Sequence, residues 1–276
     1  MESPGPAGAA APRPGVAQRL LALLAAFDAE HRELTLTTLA RRADLPPATA
    51  HRLVGQLTAW GALEQAESGG YRIGLRLWEV ATLAPRSAGL RNAALPFMED
   101  LYETTHENVQ LAVRDGYDTL YIELISGRSA VIVRTTVGSR WPLHATGVGL
   151  VLLAHAEPAV QERVCSAPLG RFTPYTLTDP ARLRAALAEV RRADAAVSDR
   201  QITDDAVSVA APIRDASGRV VAALSLVVPA TAHAAALIPA VRMAARGTSR
   251  ALGHPGGPTP PAAPFHPVEG PLAAGG

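Results

Sequence analysis

The stretch DLPPATAHRLVGQLTAWG, residues 44–61, constrains the fold more than any other part of the chain. Pro47 suits the first turn of a helix and Gly61 suits its end, so the stretch predicts one helix that runs to about Trp60. Apolar residues at helical spacing predict the buried face of this helix: Ala50, Leu53, Val54 and Leu57. The opposite face is small and carries no carboxylate.

The neighbouring segments place this helix in a defined order of elements. Val16–Glu30 predicts a first helix, and a shorter second helix follows Thr35, which is a suitable N-cap. Residues 62–74 predict two short strands joined by a Gly-Gly turn. Two helices, a turn, a third helix and a hairpin in this order predict a winged helix-turn-helix domain over residues 16–74.

The acid-free face of the third helix predicts contact with DNA, because a carboxylate there would repel phosphates. Arg52 can pair with guanine or clamp a phosphate, and Thr49 can donate to a phosphate or touch a thymine methyl group. Residues 13–91 carry ten arginines against seven carboxylates. This balance favours DNA binding over the alternative, a small helical bundle whose third helix lacks acids by chance. The candidate DNA-binding residues are Arg19, Arg41, Pro47, Ala48, Thr49, His51, Arg52, Gln56, Tyr71 and Arg72.

The second domain, residues 89–252, alternates between strand and helix patterns. Three strands are predicted at residues 108–116, 119–127 and 130–138, and a later hairpin turns at Ser217–Gly218. Strands in meander order, with helices before and after them, predict an α+β domain built on an antiparallel sheet.

The remaining segments connect or flank the two domains. Residues 75–88 predict a linker helix, and the PRSAG stretch at residues 85–89 is the best domain boundary. The apolar residues of this helix exceed what the small first domain can cover, which predicts that it also serves in dimerisation. The two ends, residues 1–15 and 253–276, are rich in Pro, Gly and Ala and are expected to be disordered.

The chain lacks the residue sets that common enzymes and membrane proteins need. All 26 basic residues are arginine, which excludes lysine chemistry. The single cysteine, Cys165, allows no intrachain disulfide, and the scattered histidines predict neither a metal nor a cofactor site. Residues 220–241 are long enough to span a membrane, but Pro229 and Pro239 interrupt them, and the N-terminus has no apolar signal core. The sequence therefore predicts a cytoplasmic protein that is not an enzyme and contacts no membrane.

Segments of both domains resemble the IclR family of bacterial transcription regulators. In the first domain the resemblance lies in residues 16–27, 34–65 and 69–81. In the second it lies in LHATGVGLVLLA and in AVSDRQITDDAVSVAAPIRDASGRVVAALSLVVP, so that the match covers about Val16 to Leu252. The resemblance implies a DNA-binding regulator with an effector-binding domain similar to GAF domains. In such a domain a small organic acid or an aromatic compound lies in a pocket over the sheet.

Carried over position by position, the resemblance implies an effector pocket. Its candidate residues are Trp141, Gly147, Val148, Ser198, Ser208 and Ser225. Gly147 and Val148 lie in the first turn of a predicted helix, where backbone N–H groups favour an anion. Ordinary structural roles stay open, because a buried serine often bonds the backbone and a lone tryptophan often belongs to the core. His144, just before the helix, is interpreted as a structural cap and not as a catalytic base.

The sequence departs from the family pattern around this pocket. Leu150 and Val151 stand where the family has Lys and Ala, and an acidic residue often seen near Ser198 is missing. Gln201 and Asp205 replace an expected Glu and Gly. These changes imply either an effector less polar than a small oxoacid or a degenerate pocket, which would leave a DNA-binding dimer without a ligand response.

The expected assembly follows from the small size of one winged helix. Specific operators usually need two half-sites, which predicts a homodimer or a tetramer on double-stranded DNA. A repressor is favoured over an activator, and an interaction module that does not bind DNA is the remaining alternative.

Overall fold

The computed structural model describes residues 15–28, 30–83, 85–127 and 130–256. The chain divides into two compact units, with the boundary between residues 84 and 85. The tails predicted to be disordered fall largely outside the described residues. Of the C-terminal tail, residues 253–256 are described, and the Nδ1 atom of His254 lies 3.2 Å from the carbonyl oxygen of Asp215.

The first unit is a winged helix-turn-helix, as predicted. Its elements are α1 (Val16–Leu24), β1 (Glu33–Leu34), α2 (Leu36–Arg42), α3 (Pro47–Trp60), β2 (Leu63–Gln65), β3 (Tyr71–Ile73) and α4 (Leu75–Thr82). The three strands form an antiparallel sheet in the order β1-β3-β2, so a two-residue strand that the sequence did not predict extends the expected hairpin. Leu23, Leu39, Leu53 and Leu63 are fully buried between the helices and this sheet.

The predicted first helix is too long at its C-terminal end. It ends at Leu24 and does not continue to Glu30. The Asp28 carboxylate accepts hydrogen bonds from the backbone N–H groups of Glu30 and His31 at 3.0 and 2.8 Å. This local side-chain bonding competes with the helical hydrogen bonds and turns the chain toward β1.

The third helix has the predicted bounds, and residues at its two ends explain them. Pro47 occupies the first turn, where a missing N–H group costs nothing. Gly61 ends the helix with a φ of +85°, a left-handed conformation that a side chain disfavours. Thr35 caps α2 as predicted, because its hydroxyl accepts from the N–H of Thr38.

The second unit is a six-stranded antiparallel sheet between two helical layers. Its elements are α5 (Pro85–Thr105), β4 (Asn108–Asp115), β5 (Asp118–Ile125), β6 (Arg140–Pro142), α6 (Gly147–Ala154), α7 (Pro158–Ser166), α8 (Pro180–Ala193), β7 (Ala196–Asp199), β8 (Ala206–Arg214), β9 (Val220–Pro229) and α9 (Ala234–Ala251). The predicted α+β class is confirmed, and so is the hairpin of β8 and β9. The segment PRSAG, predicted as the domain boundary, begins α5.

The strand order is β6-β5-β4-β9-β8-β7, so the predicted meander is wrong at the centre of the sheet. The last strand, β9, pairs with β4 and joins the two halves. Alternating residues of β8 face opposite layers: Val209 packs with α5 and α9, and Ala210 packs with α6 and α8. All eight residues of α6 are buried because this helix lies directly on the sheet beneath α8.

Residues 130–138 do not form the predicted strand. Two side chains of β4 bind this segment, which within the described residues forms no backbone hydrogen-bond ladder with a neighbouring strand. Asn108 Nδ2 donates to the carbonyl of Val131 at 2.7 Å, and Gln110 Nε2 donates to Thr135 Oγ1 at 2.6 Å. The short strand β6 pairs with the first three residues of β5 instead. The β-branched composition of the segment favours a strand locally, but the side-chain bonds from β4 hold it as a loop.

In the described part of the chain, no helix is long and apolar enough to cross a membrane. The apolar stretch at residues 220–241 divides between strand β9 and the first half of helix α9.

Candidate functional sites

The outer face of α3 presents the residues that the sequence selected for DNA contact. Pro47, Ala48, His51, Arg52 and Gln56 are exposed, and Thr49 is half-buried beside them. The four residues predicted to face inward are buried. No carboxylate lies on α3, and the Arg52 guanidinium has no hydrogen bond or ion pair with any described residue.

The two arginines that end α2 have different surroundings. Arg41 is exposed and, like Arg52, makes no ion pair within the described residues. Arg42 donates from Nε to the carbonyl of Ala26 at 2.7 Å and from a terminal nitrogen to Asp28 at 2.5 Å. Arg42 therefore ties α2 to the turn after α1, whereas Arg41 remains available at the surface.

The wing positions the remaining basic candidates. Tyr71 is half-buried against the core of the first unit. Arg72 donates to the Glu64 carboxylate from Nε at 3.3 Å and from a terminal nitrogen at 3.2 Å. The N–H of Leu75 first and Arg72 second hold the pKa of Glu64 below its usual value, so the wing carries a charged pair rather than a lone cation. Arg19 is half-buried on α1.

The second unit contains a small cavity, about 60 Å³ in volume, between the sheet and the start of α6. Four of the six predicted effector-binding residues line it: Trp141, Gly147, Ser198 and Ser208. The other lining residues are Gln110, Tyr121, Val133, Arg134, Thr135, Ala145, Thr146, Gln201, Ile202, Thr203, Ala206 and Val227.

Val148 and Ser225 are not among the lining residues. The Val148 side chain packs in the core under α6, although its backbone still belongs to the first turn of that helix. Ser225 is fully buried in β9 and donates from Oγ to Gln110 Oε1 at 3.4 Å. It therefore contacts a residue that lines the cavity but does not line the cavity itself.

The start of α6 fits closely against β8. A Cβ atom added to Gly147 would lie 2.6 Å from the hydroxyl oxygen of Ser208, so only glycine permits this approach without a shift. Thr146 caps the helix by accepting from the N–H of Gly149 at 3.0 Å, and Ser198 donates to the carbonyl of Ala145 at 3.2 Å. The N–H groups of Gly147 and Val148 have no partner within the helix, as is usual for a first turn.

Gln110, Tyr121 and Arg134 are among the lining residues that the sequence did not indicate. Burial raises the pKa of the Tyr121 phenol far above its usual value, so the group is neutral and acts only through hydrogen bonds. Arg134 is the one charged side chain among the lining residues. Its isolation in the otherwise uncharged segment 130–138 is the only signal in the sequence that could have suggested it.

His144 and Cys165, the two residues considered as possible catalytic groups, lie in environments typical of structural residues. Burial lowers the pKa of His144, whose Nε2 atom lies 2.9 Å from the carbonyl oxygen of Gly170. Cys165 is buried, and burial raises the pKa of its thiol. No cluster of three or more His, Cys, Asp or Glu side chains suited to a metal ion occurs among the described residues.

Comparisons with known proteins agree with this architecture. Residues 16–67 match the IclR helix-turn-helix domain, and residues 83–253 match the family described as bacterial transcriptional regulator IclR C-terminal. The HTH-type transcriptional regulator XynR of Escherichia coli is 32% identical over 244 residues, which cover 86% of this chain and 97% of XynR. The HTH-type transcriptional repressor AllR of the same species is 30% identical over 78% of this chain and 80% of its own length.

A solved structure extends the similarity to a ligand-bound relative. The crystal structure of an IclR homolog from Microbacterium hydrocarbonoxydans, complexed with 4-hydroxybenzoate, has 39% sequence identity and a TM-score of 0.84. The alignment covers 86% of this chain and 99% of that one. The proteins similar to this chain are transcription regulators and not enzymes. With both domain matches in order along the sequence, the chain belongs to the IclR family of helix-turn-helix transcription regulators.

Proposed function

We propose that the chain is a homodimeric repressor that releases its operator when a small aromatic acid fills the cavity of the second unit. The observation that carries the proposal is the outer face of α3, which is exposed, free of carboxylates and centred on Arg52. Such a face can enter a major groove without electrostatic repulsion from the phosphates.

The side chains of this face have complementary roles in the proposed complex. Pro47 and Ala48 keep the start of α3 small, so the backbone can approach the bases closely. Arg52 pairs with guanine or a phosphate, and Thr49, His51 and Gln56 supply hydrogen bonds to bases or backbone.

The surrounding basic residues hold the unit on the DNA backbone. Arg41 is exposed beside α3 and contacts a phosphate. On the wing, Arg72 must share its guanidinium between Glu64 and a phosphate, which makes it a weaker contact than Arg41. Tyr71 and Arg19 contribute contacts from the base of the wing and from α1.

Helix α4 supports the dimer. None of its residues is buried, and Leu75 and Trp78 are 69% and 66% exposed. Large apolar side chains that stay in water on one helix are typical of a surface that a second copy covers. Two copies place two α3 helices on two half-sites, and a tetramer would bind two such operators.

The effector is proposed from the cavity and from the ligand-bound relative. That homolog was crystallised with 4-hydroxybenzoate, and here the cavity combines an aromatic wall, Trp141, with the hydroxyl groups of Ser198 and Ser208. The first-turn N–H groups of Gly147 and Val148 add positive potential. Ser225 acts indirectly, because its hydroxyl orients the amide of Gln110 at the cavity wall.

Ligand binding can change DNA affinity only if the effector prefers one arrangement of the two DNA-binding units over the other. If the cavity can no longer bind an effector, the protein is a regulator with constant DNA affinity. This is the alternative suggested by the departures from the family pattern around Gln201.

The test begins with selection of preferred duplexes from a random pool by the purified full-length protein at low salt. The proposal expects an inverted repeat with half-sites about one helical turn, or a multiple of it, apart. The selected duplex is then titrated with protein by fluorescence anisotropy, with and without 4-hydroxybenzoate. Absence of any preferred duplex would refute the regulator proposal, and DNA affinity that no aromatic acid changes would favour constant repression.

A further inference from the structure

Charge is distributed unevenly around the cavity of the second unit. Arg134 is the only charged lining residue, while the other polar groups around the cavity are hydroxyls and amides. Within the described residues, the Arg134 guanidinium forms no hydrogen bond or ion pair with the protein. A cation at a cavity wall that has no protein partner is suited to an anionic group of a ligand.

The segment that carries Arg134 is fixed at points on both sides of it. We call residues 130–138 the cover segment, because three consecutive residues of it, Val133 to Thr135, form one wall of the cavity. Before Arg134, Asn108 Nδ2 donates to the carbonyl of Val131 at 2.7 Å, and after it Gln110 Nε2 donates to the Thr135 hydroxyl at 2.6 Å. These bonds hold the backbone of Arg134 at the cavity, whereas its side chain remains able to adapt to a ligand.

The groups around the rest of the cavity are neutral. Tyr121 stays protonated because burial raises its pKa. Ser208 and the amide nitrogen of Gln201 can donate hydrogen bonds to a ligand, and Ser198, whose hydroxyl donates to Ala145, can accept one. This arrangement distinguishes two kinds of ligand group: hydroxyls or amides suit the neutral walls, and a carboxylate suits the cover segment.

We propose that Arg134 is the residue that makes the cavity select carboxylates, by pairing its guanidinium with the acid group of the effector. This inference rests on the proposed effector-sensing function. It differs from binding of the acid at the first turn of α6, where only backbone N–H groups at Gly147 and Val148 would hold it.

The experiment compares acids with amides of nearly the same shape. Calorimetry measures the binding of 4-hydroxybenzoate and 4-hydroxybenzamide, and of benzoate and benzamide, to the full-length protein. Three variants are measured beside the wild type: Arg134→Gln, Arg134→Lys and Arg140→Gln. The last is the matched control, because Arg140 is an arginine of the neighbouring strand β6 that pairs with Asp115 and does not line the cavity.

The expected result is a loss of binding affinity for the acids and not for the amides. Arg134→Gln should weaken the binding of the acids by about 10-fold or more, as expected for the loss of a charge-assisted hydrogen bond, and should change amide binding by less than about 2-fold. Arg134→Lys should recover part of the preference for acids, and Arg140→Gln should retain all of it. Unchanged DNA affinity of the variants in the absence of ligand shows that they are folded.

The other outcomes separate this inference from the function on which it rests. If Arg134→Gln keeps the wild-type preference for acids, or if the wild type prefers amides, effector sensing stands and the assignment of Arg134 is wrong. If the wild-type protein binds none of the four compounds, the proposed aromatic effector and the role of Arg134 are both refuted.

Discussion

Replacement of Arg52 by alanine should lower DNA affinity without lowering stability. The guanidinium is exposed and has no partner among the described residues, so its removal should change the free energy of unfolding by less than about 0.5 kcal/mol. Loss of one arginine contact to a base typically costs about 1–3 kcal/mol of binding free energy. A dimer loses the contact in both half-sites, so the expected total is about 2–6 kcal/mol, or about 30-fold to 10⁴-fold in Kd.

Arg42→Ala is the matched control, because it removes the same charge from the same unit. Arg42 is bound to the carbonyl of Ala26 and to Asp28, so its loss should lower the melting temperature. Once folded, this variant should keep an affinity for the operator much closer to that of the wild type than Arg52→Ala does.

The two variants are compared by fluorescence anisotropy on the selected operator and on a scrambled duplex, together with thermal melts. A base-reading Arg52 predicts a larger loss on the operator than on the scrambled duplex. An equal loss on both would make Arg52 a phosphate contact. The reasoning fails if folded Arg52→Ala protein binds the operator as tightly as the wild type does.

Three further predictions concern stability and assembly. Gly149→Ala should lower the free energy of unfolding by about 1–3 kcal/mol, because the added Cβ would lie 2.3 Å from the carbonyl oxygen of Leu143. Gly55→Ala should raise it by about 0.5–1 kcal/mol, because nothing lies within 4 Å of the added Cβ and alanine favours a helix. Urea titrations measure both changes. Trp78→Glu should shift sedimentation from dimer toward monomer without unfolding the chain. Burial lowers the pKa values of His144 and His155. The stability that the two neutral side chains provide above about pH 6.5 should therefore be lost as the pH falls from that value through their folded-state pKa values. The melting temperature of a double variant with Gln at both positions should depend less on pH.

The first unit could be predicted almost completely, because local signals fix it. Pro47 and Gly61 set the ends of α3, and the spacing of its apolar residues sets the buried face. The error at the end of α1 arose where the Asp28 side chain bonds the backbone, an effect that helical periodicity does not report. The strand β1, with only two residues, carries too little pattern to be detected.

The second unit shows the limit of local reasoning. Residues 130–138 have the composition of a strand, yet Asn108 and Gln110, more than twenty residues away, bind the segment as a loop. Four pocket residues were found by resemblance, but Arg134 was missed because its position at the cavity depends on this distant bonding. Side chains brought together by the sheet leave no common pattern in the sequence.

The volume of the cavity has a kinetic consequence. A space of about 60 Å³ is less than half of the ~150 Å³ cavity known to hold benzene, so the cavity can enclose an aromatic ring only if one wall moves outward. Helix α6 is buried along its whole length and the strands are paired, which leaves two loop walls that can move, the cover segment and residues 201–203. Uptake of an aromatic acid should then be limited by the movement of these loops, and its observed rate should level off at high ligand concentration.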